Sequence, residues 1–315
     1  MRTEWDGSTP HLPVLYQEII HALNPHSPGR YVDATVGAGG HAWGILQACA
    51  PGGILLGLDL DPQALEIASR RLSAFESRVI LRQVSYTTLR QQLDQLGWDV
   101  VDGIVIDLGV SSMQIDTPER GFSFLTDGPL DMRFSPEQPT SAADLVNSLP
   151  EGDLADLIYR YGEEKLSRRI ARAIVQTRPI LTTAQLADLI VRATGGRHGR
   201  IHPATRTFQA LRIAVNQELN ALEEFLPRAI QSLTPGGRLA VISFHSLEDR
   251  IVKQFFRRES RDCICPPEQP VCTCGHKASL MEINRHPIEA DEEESKNNPR
   301  ARSAKLRIAE KLVLA

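Results

Sequence analysis

Residues 33–41 read Asp-Ala-Thr-Val-Gly-Ala-Gly-Gly-His. An apolar run from Tyr31 to Val36 leads into the glycines and predicts a buried strand, and a helical pattern follows from His41 to Ala50. A strand, a glycine turn and a helix start form a cradle for a nucleotide cofactor, because glycine lets the backbone approach a ligand and the first helical N–H groups are unpaired. A second predicted strand, Gly53 to Leu58, is followed by Asp59, whose carboxylate can hold both ribose hydroxyls.

Two cofactors fit this pattern. Gly37, Gly39 and Ala42 also match the dinucleotide pattern G-x-G-x-x-G/A, so an NAD enzyme is one interpretation. Asp33 favours S-adenosylmethionine, because a carboxylate at the mouth of the strand would crowd a pyrophosphate and would suit an ammonium group. A turn-capping role is the alternative for Asp33.

Composition limits the class of protein. The 315 residues are 42% hydrophobic and 23% charged, as in a globular domain or two. No apolar run has the length of a membrane span, and the first residues lack a signal-peptide core. Five cysteines, an odd number, argue against a secreted disulfide framework, so we expect a cytoplasmic protein with no membrane partner. The net charge of −4 does not indicate nucleic-acid binding, although local patches matter more than the sum.

Strands and helices alternate along the first third of the chain, which predicts a parallel sheet. The predicted strands are Tyr31–Val36, Gly53–Leu58, Val79–Val84 and Val101–Leu108. The predicted helices between them are His41–Ala50, Pro62–Phe75 and Thr87–Leu96. Near-continuous apolar strands indicate a sheet that is covered on both faces.

The alternation stops at a long loop, Ser111 to Pro139, whose apolar side chains predict an ordered lid. Four helices are predicted next, at Ala142–Asn147, Asp153–Tyr161, Lys165–Gln176 and Thr183–Ala193. We therefore predict an inserted helical subdomain over residues 140–205, and a main domain made of residues 1–139 and 206–315.

The main domain is expected to resume with one long helix, Arg206 to Leu233. The elements predicted after it are a strand (Arg238–Phe244), a helix (Leu247–Arg258), and an antiparallel pair (Ser279–Arg285 and Ala304–Glu310). The acidic run Glu289–Ser295 is predicted to be a solvated loop.

Six motifs in order resemble one bacterial family, the small-subunit ribosomal RNA (cytosine-N4)-methyltransferases (RsmH/MraW). They are His11-Leu-Pro-Val-Leu15, Asp33 through His41, Asp107-Leu-Gly-Val-Ser-Ser112, Arg120-Gly-Phe-Ser-Phe124 with Pro129-Leu-Asp-Met-Arg133, Arg212-Ile-Ala-Val-Asn-Gln-Glu218, and Ser243-Phe-His-Ser-Leu-Glu-Asp249-Arg. The resemblance implies an α/β class I S-adenosylmethionine-dependent methyltransferase, Rossmann-like, with a seven-stranded mostly parallel sheet. It also implies a cytidine in 16S ribosomal RNA as substrate, the 30S subunit as partner and an insertion that helps to recognise RNA. A homodimer is left open.

The resemblance also implies site residues. Gly39, Gly40 and His41 would line the methionine part of the cofactor, beside Asp33. The ribose would bind Asp59, the adenine would pack on Tyr86, and Asp107 and Gln114 would complete the pocket. A core position for Tyr86 and a capping or packing role for His41 are the alternatives.

Four residues are candidates for the chemistry: Asp107, Asn216, Ser243 and His245. Asp107 ends the fourth predicted strand, on the edge where ligands bind in open α/β sheets. Capping by Asp107 and a packed turn histidine at His245 are the alternatives. The motif after Asp107 lacks the aromatic residue of many amino-group methyltransferases, so Phe122, Phe124 or His245 could stack on the base.

A basic stretch from Arg192 to Arg212 contains no acidic residue and predicts phosphate contacts through Arg197, Arg200 and Arg206. We add Arg133, from the loop motif, to the expected RNA contacts. A solvated surface is the alternative.

The four cysteines of Cys263-Ile-Cys265 and Cys272-Thr-Cys274 could bind zinc, although one residue between thiols is tighter than the usual two. We assign no metal to the functional site and leave zinc open. Three further functions are left open: methylation of another RNA base or of protein, ribosome assembly with a residual cofactor site, and NAD-dependent dehydrogenation.

Overall fold

The computed structural model describes residues 13–196, 201–269 and 271–313. They contain a seven-stranded sheet with the order β3-β2-β1-β4-β5-β7-β6. Its strands are β1 (Arg30–Asp33), β2 (Ile54–Asp59), β3 (Val79–Gln83), β4 (Val101–Asp107), β5 (Leu233–Ser243), β6 (Leu280–Glu282) and β7 (Lys305–Lys311). β1 to β5 are parallel, and β7 runs antiparallel to both β5 and β6. The predicted fold class is confirmed.

Thirteen α-helices lie in the described ranges. They are α1 (Tyr16–Leu23), α2 (Gly40–Ala48), α3 (Pro62–Arg71), α4 (Leu89–Gln95), α5 (Ser112–Asp116), α6 (Ala142–Ser148), α7 (Glu151–Gly162), α8 (Ser167–Thr177), α9 (Thr183–Thr194), α10 (Thr205–Asn216), α11 (Glu218–Ser232), α12 (Ser246–Glu259) and α13 (Glu292–Asn297). No helix among these is both long enough and apolar enough to cross a membrane.

Helices cover both faces of the sheet. Neighbouring residues of a strand point to opposite faces, so they pack against different sets of helices. Leu56 and Ile104 pack in a core with residues of α4, α11 and α12. Their neighbours Leu55 and Val105 pack in a second core with residues of α1, α2 and α3. Double coverage explains why these strands read as continuous apolar runs in the sequence.

The described residues divide into two compact units. One contains the sheet and consists of the chain up to Gly109 and from Leu219 onwards; the other is Val110–Glu218. The second unit has its own core, to which the loop contributes Leu130 and Met132. The loop at 111–139 is therefore ordered and belongs with the helices. The predicted insertion, 140–205, lies inside this second unit, which extends beyond the prediction at both ends.

The prediction of one long helix from Arg206 to Leu233 is wrong. Gln217 adopts a left-handed conformation with φ of 51°, which ends α10, and α11 begins at Glu218. The acidic run is not a loop either, because Asp291 caps the short helix α13 by accepting the Glu294 N–H at 2.7 Å. Three glutamates in its first turn stabilise the positive end of the helix dipole. Helix α1 was not predicted.

An ion pair joins α12 to β7. Arg307 is 4% exposed and contacts both carboxylate oxygens of Asp249, at 2.6 and 3.2 Å. Asp249→Asn should therefore lower the free energy of unfolding by about 3 kcal/mol, because it leaves a buried guanidinium without its counterion. Urea unfolding measures this. The control Glu66→Gln breaks a pair with Arg70 whose side chains are more than 70% exposed, and it should cost less than about 0.5 kcal/mol. Equal losses in both variants would contradict a structural role for the buried pair.

Candidate cofactor site

Three strands of the sheet end in a carboxylate: β1 in Asp33, β2 in Asp59 and β4 in Asp107. β1 lies between the other two strands, and Asp33 pairs with Gly57 on β2 and with Val105 on β4. The strands are parallel, so the three carboxylates share one edge of the sheet. In open α/β sheets this carboxyl edge is where ligands bind.

The glycine turn after β1 leads directly into α2. Gly39 precedes this helix with φ of 78°, a left-handed conformation that glycine adopts at low cost. A Cβ atom on Gly40 would lie only 2.3 Å from Cγ of Pro13. The turn can therefore pack this closely against Pro13 only with glycine at position 40.

Asp59 holds the turn from the neighbouring strand. Its Oδ2 accepts the Gly37 N–H at 2.8 Å, and its Oδ1 accepts the Asp61 N–H at 2.9 Å. Burial raises the pKa of Asp59, while these backbone N–H groups lower it. Each carboxylate oxygen can accept more than one hydrogen bond, so these contacts leave acceptor capacity for ribose hydroxyls.

Asp33 is buried, with 1% of its surface exposed. Its Oδ1 accepts the Thr35 N–H at 3.3 Å, whereas its Oδ2 has no hydrogen-bond partner among the described residues. Burial raises the pKa of Asp33 to about 7, and the nearby charge of Asp59 contributes in the same direction. This carboxyl group is therefore poised to ionise when a positive charge binds beside it.

Asp107 has the same character. Its side chain is 27% exposed, but its Oδ1 is buried and without a hydrogen-bond partner in the described chain. Its backbone N–H donates to Thr35 Oγ1 at 2.7 Å, which joins the end of β4 to the turn after β1. Burial raises the pKa of Asp107 well above its usual value, and the charges of Asp33 and Glu248 raise it further.

His41 is an uncharged residue beside this edge of the sheet. Its Nε2 lies 3.0 Å from the Val14 carbonyl, and its ring stacks on Tyr16. Burial lowers the pKa of His41 to about 4, and the charge of Arg71 lowers it as well. The Nε2–H therefore donates to the carbonyl, and the uncharged Nδ1 lies 4.0 Å from Asp107 Oδ2. A contact between His41 and the cofactor stays a prediction.

Tyr86 and Gln114 have structural contacts of their own. Tyr86 is half-buried, and its ring meets Phe225 edge to face at 5.1 Å between centroids. Gln114 belongs to the helical unit and forms a capping box with Ser111 at the start of α5, with N···O distances of 3.1 and 3.2 Å. Their roles in cofactor binding stay predictions.

Ser243 and His245 follow one another at the end of β5. Ser243 is buried, and its Oγ donates to the Lys305 carbonyl at 3.3 Å. His245 caps α12, its Nδ1 accepting the Glu248 N–H at 3.4 Å. Its Nε2 is 3.2 Å from Glu248 Oε1 but makes no hydrogen bond to the described residues. Capping matches the alternative of a turn histidine, and contact with a base stays a prediction.

Asn216 braces the loop of the helical unit. Its Oδ1 accepts the Phe134 N–H, and its Nδ2 donates to the carbonyls of Met132 and Arg212, all at 2.8 to 2.9 Å. Both ends of the amide are thus used for structure. A contact with the substrate base stays a prediction.

The predicted RNA contacts differ in how they are held. Arg133 forms a bidentate pair with Asp131, at 2.9 and 2.7 Å, and donates to two carbonyls of its own loop. Arg206 is half-exposed and 3.8 Å from Glu164. Arg197 and Arg200 lie outside the described residues. Arg206 is therefore more available to a phosphate than Arg133.

Two residues that position the edge were missed from the sequence. Thr35 accepts the Asp107 N–H, and the buried Glu248 accepts the N–H groups of Phe244 and His245 at 2.8 and 3.3 Å. The capping pattern of His245 followed three residues later by Glu248 could have indicated the second. Thr35 carries no comparable signal, because its partner is 72 residues away.

The site fits a cationic nucleoside. Buried carboxylate oxygens without partners, as in Asp33 and Asp107, need hydrogen-bond donors or positive charge. S-adenosylmethionine offers an ammonium, a sulfonium, ribose hydroxyls and an adenine amine. A dinucleotide would instead bring a negative pyrophosphate to carboxyl groups whose pKa values are already raised. The sheet order and this edge define a class I S-adenosylmethionine-dependent methyltransferase.

Comparison with known proteins gives the particular family. The model of the MraW methylase family matches residues 8–312. A "ribosomal RNA small subunit methyltransferase H" of Dehalococcoides mccartyi is 55% identical over 96% of this chain and 87% of its own length. The protein of the same name from Lawsonia intracellularis is 52% identical over 96% of this chain and all of its own length. A solved rRNA methylase of Streptococcus thermophilus is 12% identical with a TM-score of 0.39, covering 95% of this chain and 94% of its own. The chain belongs to the MraW methylase family.

Asp33 should make stability depend on pH. Because folding raises its pKa from 3.8 to about 7, the folded chain keeps a proton that the unfolded chain releases between these values. The contribution of this bound proton to the free energy of unfolding is complete below the lower pKa value and is lost as pH rises through the higher one. Asp33→Asn removes this loss, so the variant should gain about 2–4 kcal/mol over the natural chain between about pH 4 and about pH 8.

Urea unfolding at the two pH values measures this gain. Glu66→Gln, which removes an exposed carboxylate from the same unit, is the control and should show no such gain. If Asp33 is the counterion of the cofactor's ammonium group, as the sequence predicts, the Asp33→Asn variant should also bind S-adenosylhomocysteine more weakly. A variant whose stability follows the natural chain at both pH values would contradict a buried, proton-binding Asp33.

Proposed function

We propose that this chain transfers a methyl group from S-adenosylmethionine to N4 of a cytidine in 16S ribosomal RNA. The observation that carries the proposal is the carboxylate edge, with Asp33 buried and Asp59 and Asp107 partly buried, in a chain that is 55% identical to a small-subunit methyltransferase H. The cofactor, when bound, supplies a methyl group already activated on a sulfonium. What the chain must add is binding, alignment and treatment of the acceptor amine.

The acceptor sets the chemical problem. The exocyclic amine of cytosine is a poor nucleophile, because its lone pair is delocalised into the ring. Holding the amine nitrogen in line with the methyl group can supply about 7–11 kcal/mol of the barrier reduction. An acceptor for the amine hydrogens lowers the barrier further, because it favours the pyramidal nitrogen of the transition state over the planar ground state.

Asp107 is the residue proposed to accept that hydrogen bond. Its Oδ1 is buried without a partner in the described chain, and its backbone is fixed by Thr35. A positive charge bound beside Asp33 would lower the pKa values of both carboxyl groups and so favour the ionised form of Asp107. An ionised carboxylate accepts two hydrogen bonds more strongly than a neutral acid does. The same group could instead hold the adenine amine.

The cofactor would lie with its methionine part against Asp33, Gly39, Gly40 and His41, and with its ribose on Asp59. The glycine turn gives the backbone the close approach that this arrangement needs. We further propose that Tyr86 packs on the adenine and that Gln114 completes the pocket.

We also propose that Ser243, His245 and Asn216 position the cytidine, and that Arg133, Arg197, Arg200 and Arg206 contact its RNA. The acceptor would be presented by the assembled or nearly assembled 30S subunit in the cytoplasm. A homodimer would be compatible with this reaction, which needs one cofactor site for each acceptor.

The direct test is the nucleoside composition of the RNA. Mass analysis of 16S ribosomal RNA from a strain lacking this protein should show the loss of one N4-methyl group on a cytidine. The chain supplied on a plasmid should restore the group. An unchanged nucleoside profile, or a missing methyl group on another base or on a protein, would overturn the proposed acceptor.

Asp107→Ala should abolish methylation in a single-turnover assay while S-adenosylhomocysteine still binds. If Asp107 orients the amine, the rate stays low at saturating cofactor; if it holds only the adenine, more cofactor restores the rate. Asp102→Ala is the matched control, because it removes a carboxylate from the opposite end of the same strand. A variant that methylates at the natural rate at low and high cofactor would make Asp107 a structural cap.

Arg197→Ala combined with Arg200→Ala should weaken binding to RNA or to the 30S subunit and leave cofactor affinity unchanged. Each lost phosphate contact should reduce the log–log salt slope by about one. Arg168→Ala with Arg169→Ala removes the same charge from the exposed side of α8 and serves as control. If the Arg197 and Arg200 double variant keeps the natural slope, the basic stretch is only a solvated surface.

A further inference from the structure

Four cysteines between α12 and β6 have no part in the proposed reaction. They are Cys263, Cys265, Cys272 and Cys274, all free thiols. Their four Sγ atoms lie within 4.8 Å of one another. The Sγ of Cys263 is 3.5 Å from that of Cys272 and 3.9 Å from that of Cys274, and the last two are 3.6 Å apart.

These separations match the edges of a metal–thiolate tetrahedron. A zinc–sulfur bond of about 2.3 Å places tetrahedral sulfur atoms about 3.8 Å apart. A disulfide would need sulfur atoms about 2 Å apart. The loop thus brings the four Sγ atoms of the two C-x-C pairs around one position that a metal ion could occupy. It does so although each pair has only one residue between its thiols.

Backbone hydrogen bonds also hold one of the four sulfur atoms in place. The N–H groups of Ile264 and His276 both lie 3.5 Å from Cys274 Sγ and donate to it. The His276 ring is already used, with Nδ1 2.8 Å from the Arg261 carbonyl and Nε2 3.4 Å from Glu259 Oε2. His276 therefore ties the loop to the end of α12, and the ligand set is four sulfurs.

The loop has no apolar core of its own. No described residue from Arg261 to Ala278 is buried, and the apolar side chains of Ile264 and Val271 are 44% and 69% exposed. Segments too small to bury apolar surface are commonly held by a metal ion. A disulfide could do this in a secreted protein, but it is unstable in a reducing compartment.

We propose that Cys263, Cys265, Cys272 and Cys274 bind one Zn²⁺ ion as thiolates in a tetrahedral structural site. Four protein ligands fill the coordination sphere and leave no open position for water, so the ion holds the loop and does no chemistry. On binding, each thiol that is still protonated releases its proton to solvent, and no electrons are transferred. The site is independent of the methyl-transfer reaction.

The test is metal content. The full chain, purified under reducing conditions without a metal-affinity tag, should contain one zinc per chain by mass spectrometry. The combined variant with all four cysteines changed to serine should contain none. Cys49→Ser is the matched control, because Cys49 is a buried thiol of the first unit far from the loop in sequence, and it should keep its zinc.

Cobalt substitution covers the case in which the combined variant fails to fold. The natural chain, stripped by a chelator and given Co²⁺ alone, should show the visible absorption of tetrahedral cobalt–thiolate, and Zn²⁺ should displace it. The stripped chain should also be cleaved by protease within the loop, and Zn²⁺ should protect it. Four thiols that react with a thiol reagent equally fast with and without Zn²⁺, or an intact mass showing a disulfide among them, would overturn the proposal.

Discussion

The rest of the site depends on one constraint: three parallel strands place their terminal carboxylates side by side at one edge, where Asp33 is buried and Asp59 and Asp107 are partly buried. Desolvation raises the pKa values of all three carboxyl groups, and neighbouring negative charges add to it: Asp59 at Asp33, Asp61 at Asp59, and Asp33 with Glu248 at Asp107. Such an edge is unfavourable for the folded chain and favourable for a ligand that brings positive charge and hydrogen-bond donors. In the proposed binding mode, the preference for a sulfonium cofactor over a dinucleotide comes from this electrostatic arrangement more than from the glycine turn.

The surrounding contacts keep the carboxylates in place without neutralising them. Asp59 accepts two backbone N–H groups, Thr35 holds the backbone of Asp107, and His41 is pinned to a carbonyl as a neutral ring. None of these partners brings a full positive charge. A positive charge that stabilises the ionised carboxylates must therefore come from the ligand. The glycine at position 40 lets this arrangement pack against Pro13.

Much of the fold could be predicted because strand burial and helix periodicity are written in local sequence. β2 begins and ends within one residue of the prediction, and α9 does too. The break between α10 and α11 could not be predicted, because Gln217 adopts a left-handed conformation that no glycine or proline announces. The strand-end carboxylates were found from position alone, whereas the bracing role of Asn216 depends on a loop more than 80 residues away in the chain.

The most direct measurement is the proton balance of cofactor binding. Titration calorimetry with S-adenosylmethionine at about pH 7, in buffers of different ionisation enthalpy, counts protons exchanged on binding. A cation beside carboxyl groups with raised pKa values must expel their protons, and Asp33 alone, with a pKa of about 7, should release about half a proton. Net release supports a carboxylate edge that selects a cationic cofactor. Binding without proton exchange, or with proton uptake, would contradict it.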